Sequence, residues 1–289
     1  LKELIKSELY SSKYYAKQIK LGIQEIFHIK IEKPIINHEK IKSLQTENIY
    51  KNLSFNSKLE FWKLHPLIGN IIIKPDKYKF NMYCNNDDTV VKELYWSNFT
   101  NWENNEIKTI INLCKEKKYK YFFDIGSYTG FYSLLVNTIL SNTIIYSFEI
   151  IPEIYERLLL NKSINKSTNI TSYNIGVSNK NSIKYIKKGS FINGLSSVSY
   201  ITSNKTENSI KTISIDSFVN DKKINNENIL IRIDTVGTEE EVINGMLNLI
   251  KNNKIDLLID VSNNNIEKYK KILKDHKLIQ FGRNIFFIQ

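Results

Sequence analysis

The sequence predicts an α/β fold: a mainly parallel sheet covered by helices on both faces, preceded by a helical amino-terminal extension. Three observations carry that expectation. Short apolar runs alternate with amphipathic helical runs from Tyr121 to the carboxyl terminus, the pattern of consecutive βαβ units. The run Tyr121-Phe122-Phe123-Asp124 passes through Gly126 and Gly130 into a second apolar run, which reads as strand, tight turn and helix start. A further short run, Ile144 to Phe148, ends in the acid Glu149. Glu149 follows Gly130 at close to the ~20-residue spacing between a glycine turn and a ribose-binding acid.

The elements follow in order. Leu1 to about Phe27 reads as an amphipathic helix, with Leu4, Ile5, Leu9, Ile19 and Ile23 at near-helical steps. Pro34 interrupts it, and about His38 to Trp62 carries a weaker helical pattern. Residues 1–68 form the extension and 69–289 the main domain. The domain opens with a hairpin, Ile71–Ile73 and Tyr78–Tyr83 around the Pro75-Asp76 turn, and a helix, Glu103–Lys117. Then come strand Tyr121–Asp124, helix Phe131–Leu140, strand Ile144–Glu149, helix Pro152–Asn161 and strand Ile170–Asn174. Pro152 suits a first helical turn. About Ser182 to Ile215 reads as a β-rich insertion. Strand Ile229–Asp234, helix Glu239–Ile250, strand Ile255–Val261, helix Ile266–Leu273 and a pair at Leu278–Phe281 and Ile285–Ile288 complete the chain.

With 289 residues, 42% hydrophobic and 12% aromatic, the chain has enough apolar mass for a sizeable core. It begins at Leu1 rather than Met, so processing, or excision from a longer chain with lost flanking domains, is the expectation. The net charge of +11 invites a nucleic-acid or acidic-membrane partner. Yet arginine, the preferred reader of phosphate and bases, occurs only at Arg157, Arg232 and Arg283. The charge therefore reads as a lysine-rich compositional bias, and no nucleic-acid partner is expected. Cys84 and Cys114 are the only cysteines, too few for a disulfide framework. That fits a reducing, cytoplasmic setting. No apolar run reaches the length of a membrane span. His28, His38, His65 and His276 are scattered, and no metal is predicted. The amino-terminal helices are read as a cap, an oligomer contact or the end of a linker.

The chemistry concentrates in the first turn. Gly126 lets the backbone turn sharply and approach a ligand, and Gly130 permits close packing at the helix start. The N–H groups of Ser127 to Phe131 are expected to face a carboxylate or phosphate. Asp124 repels pyrophosphate but suits an ammonium group. S-adenosylmethionine carries an ammonium, a carboxylate and a ribose diol, which Glu149 suits as a paired acceptor.

These residues resemble the FkbM-like S-adenosylmethionine-dependent methyltransferases over about Asn85 to Ile259. Asn86-Asp87-Asp88 with Trp102-Glu103 is similar to the family's lead-in. Asp124-Ile125-Gly126-Ser127-Tyr128-Thr129-Gly130-Phe131-Tyr132-Ser133 is similar to its Asp-hydrophobic-Gly-Ala-Asn-x-Gly turn. Phe148-Glu149 with Pro152, Leu158 and Asn161 is similar to its Phe-Glu-Pro segment, and Asn174 to Ser178 to its third-strand exit. Ile231-Arg232-Ile233-Asp234-Thr235-Val236-Gly237-Thr238-Glu239 is similar to its Ile-Lys-Ile-Asp-Val-Glu-Gly-x-Glu block. Two departures stand out: Ser127-Tyr128 replaces Ala-Asn, and Val236 replaces a carboxylate at the active-site edge.

The resemblance implies a Rossmann-like class I methyltransferase fold with a mainly parallel seven-stranded sheet, and S-adenosyl-L-methionine as cofactor. Cofactor contacts then fall on Asp124, Gly126, Ser127, Tyr128, Gly130, Phe131, Glu149, Ile150, Asn174, Gly176 and Asp234. Asp234 and Asp260 are the catalytic candidates. Asp234 reads equally as a general base or a structural acid, Asp260 as substrate-facing or capping, and Glu239 as a helix-dipole partner. The serine-rich stretch Gly189 to Tyr200 reads as a loop over the site or a plain connection. The implied activity is O-methylation of a sugar, glycan or glycolipid hydroxyl. The alternatives are an RNA methyltransferase, or an inactive methyltransferase-like scaffold suggested by Val236.

Overall fold

The computed structural model describes residues 50–187, 191–193, 196–197, 200–202, 204–206, 208–261 and 266–289. The amphipathic pattern of Leu1 to Phe27, with His28 and His38, lies outside them, as does much of the stretch Gly189 to Tyr200.

In chain order, α1 (Phe55–Leu64) precedes the antiparallel hairpin β1 (Ile68–Ile73) and β2 (Phe80–Asn85), α2 (Thr89–Trp96) and α3 (Asn104–Glu116). The alternating core starts with β3 (Tyr121–Ile125), α4 (Phe131–Ile139), β4 (Ile144–Phe148), α5 (Pro152–Ile164) and β5 (Ile170–Tyr173). The insertion holds β6 (Gly176–Val177), β7 (Ser182–Lys187), β8 (Phe191–Asn193), β9 (Ser196–Ser197), β10 (Tyr200–Thr202) and β11 (Ser209–Ile213). Then come α6 (Ile215–Lys222), β12 (Asn228–Ile233), α7 (Glu239–Asn244), α8 (Leu247–Asn252), β13 (Lys254–Asp260), α9 (Ile266–Ile272), β14 (Lys277–Phe281) and β15 (Asn284–Ile288).

The central sheet has seven strands in the order β14-β15-β13-β12-β3-β4-β5. Only β15 runs against the rest, pairing antiparallel with both neighbours. This is the class I methyltransferase arrangement. Because both faces are covered, the strands are near-continuous apolar runs whose alternate residues feed two cores. Phe122, Ile145, Leu230, Leu258 and Phe286 pack with the hairpin, α2, α3 and α4. Phe123, Phe148, Ile231, Leu257 and Phe287 pack with α6, α7, α8 and α9 on the other side. The chain works outward from β3 to β5, then returns beside β3 as β12. The sheet order reverses there, and ligands bind beyond the carboxyl ends of such strands.

The β-rich insertion is confirmed as a four-stranded sheet, β10-β7-β11-β6. Two helices were not anticipated. Asp88 Oδ1 accepts the Val91 N–H to start α2, and Ser214 Oγ accepts the Ser217 N–H to start α6. The expected helix Glu239–Ile250 is in fact two. Asp216 of α6 accepts the N–H groups of Asn248 and Leu249, starting a new helix, and Gly245 lies against the Ser178 carbonyl.

Side-chain amides fasten the hairpin to α5. Asn161 is fully buried; its Oδ1 accepts the Tyr83 N–H at 2.7 Å and its Nδ2 donates to the Thr129 carbonyl at 2.8 Å. Asn165 exchanges two hydrogen bonds with the backbone of Asn81, and Arg157 forks onto Asp87 at 2.8 and 2.9 Å. Replacing Asn161 by Ala leaves a buried donor and a buried acceptor without partners. Urea unfolding of Asn161→Ala is expected to show a loss of about 2–4 kcal/mol, whereas a loss below about 0.5 kcal/mol would mean the hairpin is held by apolar contact alone.

Candidate active site

The cleft grows out of the bend after β3. Gly126 has φ 79°, and a Cβ there would fall 1.9 Å from the Asp234 carbonyl oxygen. Only glycine lets the bend pass so close to the exit of β12. The N–H groups of Gly126 and Ser127 both donate to the Phe148 carbonyl at 2.9 Å, binding the bend to β4. At Gly130 (φ 94°) a Cβ would meet Leu158 at 2.4 Å, so α4 starts in tight contact with α5.

Glu149, just past β4, organises this bend. Its Oε2 accepts the Tyr128 N–H at 3.0 Å and its Oε1 the Ile151 N–H at 2.8 Å. Asn174 Nδ2 donates to the Glu149 carbonyl at 2.8 Å. Burial pushes the Glu149 carboxyl up to about 7, against the stabilising N–H groups of Ile151, Tyr128 and Ile150.

Arg232 sits under the cleft between β3 and β12. Its Nη1 donates to the Gly126 carbonyl at 3.1 Å and to Asp124 Oδ1 at 3.4 Å, and its Nη2 to Asp234 Oδ2 at 2.7 Å. The guanidinium lies 4.4 Å over the Tyr132 ring, a cation–π contact. The Tyr132 hydroxyl donates to Glu103 Oε2 at 2.6 Å. Asp124 is fully buried, its Oδ2 accepting the Ser133 hydroxyl at 2.6 Å.

The resulting cavity measures about 330 Å³, at the small end of ligand-binding clefts. Of the sequence-derived candidates, Gly126, Ser127, Tyr128, Phe131, Glu149, Ile150, Asp234 and Asp260 line it. Asp124, Gly130, Asn174 and Gly176 do not. Asp124 is fully buried beneath the cleft floor, with Oδ2 accepting the Ser133 hydroxyl and Oδ1 facing Arg232. Gly130 and Asn174 act through packing and through the Glu149 backbone, while Ile175 and Val177, on either side of Gly176, form the wall. The expected free N–H groups of the turn are also partly spent: Ser127, Tyr128 and Gly130 all donate within the protein.

Sequence reasoning placed Arg232, Trp102, Glu103, Tyr132 and Thr235 in family-like segments without assigning them to the site; all of them line the cleft. Arg232 did leave a signal, as the one charged residue inside the apolar run Ile229–Ile233. At the far end, Asp260 Oδ2 accepts from Arg283 Nη2 at 2.9 Å, while Asp260 Oδ1 and Thr235 Oγ1 are buried with no hydrogen-bond partner among the described residues. Burial, then the neighbouring Asp234, raises the Asp260 carboxyl. His65 stacks near Phe61 and Trp96, and His276 Nε2 meets the Ile255 carbonyl, both away from the cleft. Among the described residues no helix is long and apolar enough to cross a membrane.

Glu103 and Glu149, both pushed up to about 7, predict a pH dependence. A carboxyl raised on folding contributes stability that is complete below its unfolded value near 4.5 and is lost as pH rises through about 7. The melting temperature of the ligand-free chain is expected to fall between pH 5 and pH 8. Glu103→Gln is expected to flatten that fall. An identical slope in the variant would remove Glu103 as a contributor.

S-adenosylmethionine fits this donor set. The Glu149 carboxylate has roughly four lone-pair positions, and beyond the N–H groups it accepts from Tyr128 and Ile151 it retains acceptor capacity for a diol. Ile150, Ile154, Ile175 and Val177 offer an apolar wall for a flat base beside the bend. Among the solved structures similar to this chain are three methyltransferases. A methyltransferase FkbM from Methylobacillus flagellatus KT is 15% identical with a TM-score of 0.42, the match covering 70% of this chain and 55% of that one. A precorrin-6y C5,15-methyltransferase from Geobacter metallireducens GS-15 is 11% identical with a TM-score of 0.39, covering 65% and 87%. A SAM-dependent methyltransferase from Agrobacterium tumefaciens is 7% identical with a TM-score of 0.43, covering 77% and 71%. The match thus spans about half the length of the M. flagellatus protein. No curated protein matches the chain in sequence. The profile of the methyltransferase FkbM domain matches residues 124–281, more than half of the chain. With that match lying over the switch-point cleft, the chain belongs to the FkbM family of methyltransferases, and its cofactor is S-adenosylmethionine.

Proposed function

We propose that this protein transfers a methyl group from S-adenosylmethionine to a hydroxyl oxygen of a sugar, glycan or glycolipid. One observation carries the reading: a buried carboxylate oxygen, Asp260 Oδ1, and the Thr235 hydroxyl line the cleft, neither with a hydrogen-bond partner among the described residues. A buried acceptor without a donor is costly, and a substrate hydroxyl supplies the missing proton. Thr235 Oγ1 adds a group able to donate to, or accept from, a neighbouring hydroxyl.

When bound, the cofactor supplies an electrophilic methyl carbon. Glu149 holds the ribose diol, and Ile150, Ile154, Ile175 and Val177 cover the base. Asp234 is oriented by Arg232 and Asp260 by Arg283, so both carboxylates have restricted positions. Asp260 takes the acceptor proton, and its raised affinity for protons makes it a stronger base than a solvated carboxylate. Val236 is 42% exposed at the cleft edge. It leaves proton removal to Asp234 and Asp260, where the family pattern has an additional carboxylate.

Incubation with label-bearing S-adenosylmethionine and a panel of sugars, glycolipids and RNA is expected to place label on a sugar hydroxyl. Label in RNA, with binding that weakens steeply as salt rises, would replace the acceptor assignment. Asp260→Asn is expected to lower turnover by roughly 10²–10⁴-fold while leaving S-adenosylhomocysteine affinity unchanged. Glu149→Ala is expected to weaken that affinity by roughly 1.5–3 kcal/mol. Intact turnover in Asp260→Asn would exclude it as the base.

A further inference from the structure

The cleft contains an acid, Glu103, that the proposed methyl-transfer step does not use. Glu103 stands immediately before α3, at the position where a side chain ordinarily caps a helix, yet it makes no cap hydrogen bond. Its backbone is left-handed, φ 43° and ψ 37°, an uncommon conformation for a residue with a Cβ. The side chain instead enters the cleft, where Oε2 accepts the Tyr132 hydroxyl and Oε1 has no hydrogen bond among the described residues. Glu103 also lies outside the segment matched to the family.

The charge around it is unbalanced. One guanidinium, Arg232, faces three carboxyls: Asp124, Asp234 and Glu103. Burial pushes Glu103 up to about 7, with Asp234 and Glu106 acting in the same direction and Arg232 and the Tyr132 hydroxyl opposing. A cation entering the cleft beside Glu103 relieves that excess and favours the ionised carboxylate.

We propose that Glu103, not Asp124, binds the ammonium group of the methyl donor's amino-acid end. This rests on the cofactor occupying the switch-point cleft as described above. Each of the other acids lining the cleft is anchored by a partner of its own. Glu149 accepts two backbone N–H groups at the Ile150–Ile154 end. Asp234 takes Arg232, and Asp260 takes Arg283 at the end of the next strand. At the exits of β3 and β12, Glu103 brings a carboxylate oxygen with no hydrogen bond among the described residues, and Tyr132 fixes its orientation from α4. An N–H⁺ to carboxylate bond there is charge-assisted and short.

The test is calorimetry on the full chain with two thioether ligands that differ only in the amino-acid group, S-adenosylhomocysteine and 5′-methylthioadenosine. Glu103→Gln is expected to weaken S-adenosylhomocysteine roughly 10- to 100-fold, and 5′-methylthioadenosine less than threefold. The unchanged second ligand doubles as the check that the variant folds. In the wild type, S-adenosylhomocysteine affinity relative to 5′-methylthioadenosine is expected to rise between pH 6 and pH 8, because binding requires Glu103 to lose its proton. That relative rise is expected to vanish in Glu103→Gln, which leaves Glu149, common to both ligands, to titrate alone. Equal losses for both ligands, or none for either, overturn the assignment. A wild-type chain that binds neither ligand overturns the cofactor site itself and this assignment with it.

Discussion

The guanidinium of Arg232 is the interaction on which the site depends. It joins two strands that are neighbours in the sheet but far apart in sequence, bonding to Asp124 and the Gly126 carbonyl from β3 and to Asp234 from its own strand. Arg232 and Asp124 are directly paired in register, so the charge pair lies along the sheet where the topology reverses. A buried ion pair adds little net stability over a well-packed apolar substitute, but losing one partner costs about 3–5 kcal/mol. Its value here is positional. With Gly126 bent around the Asp234 carbonyl, the pair fixes how far the two strand exits can part, and the cleft is the space that remains.

Backbone strain gathers around that space. Glu103, Tyr128 and Val236 all line the cleft and all have positive φ, 43°, 50° and 41°. Each such residue costs of order 1–3 kcal/mol and persists only where its surroundings overdetermine it. For Tyr128 the constraint is visible: Glu149 takes its N–H, and its ring joins the small cluster of Ile151, Ile154, Ile186 and Ile210. Glu103 is held by Tyr132. Val236 is the most exposed of the three and a β-branched residue, the type least suited to this conformation. Its neighbour Gly237 is also at positive φ and has open space where a Cβ would lie. Local turn geometry, rather than packing, therefore sets this edge of the cleft.

Most of the sheet was legible because its strands carry their own signal. A strand buried on both faces must be apolar throughout, and Tyr121–Ile125, Ile144–Phe148, Asn228–Ile233 and Lys254–Asp260 stand out accordingly. The glycine bend and Glu149 were legible because they serve local turn chemistry. What stayed hidden depends on distant partners. The break between α7 and α8 needs Asp216 from another helix. Asp124 looked like a ligand-facing acid because an acid at a strand end has two environments open to it. The choice was made by Ser133 and Arg232, the latter 108 positions away. Glu103 was legible only as part of a motif, since its orientation depends on Tyr132 and on a left-handed backbone that no spacing rule announces.

The two walls of the cleft differ in origin. The bend, Glu149, Arg232, Asp234 and Asp260 all fall within the matched family segment. Thr89, Val90, Trp102 and Glu103 come from the preceding hairpin-and-helix region, outside it. That region is no loose appendage. Asn161, Asn165 and Arg157 from α5 hold it, and Trp102 packs edge-on against Phe131 at 5.4 Å, directly on the glycine bend. Because α5 also contacts Gly130 through Leu158, a shift in the hairpin reaches the bend through rigid contacts. The amino-terminal wall can therefore change its side chains, and with them the molecule admitted opposite Asp260, without altering the bond pattern that positions Glu149 and Arg232.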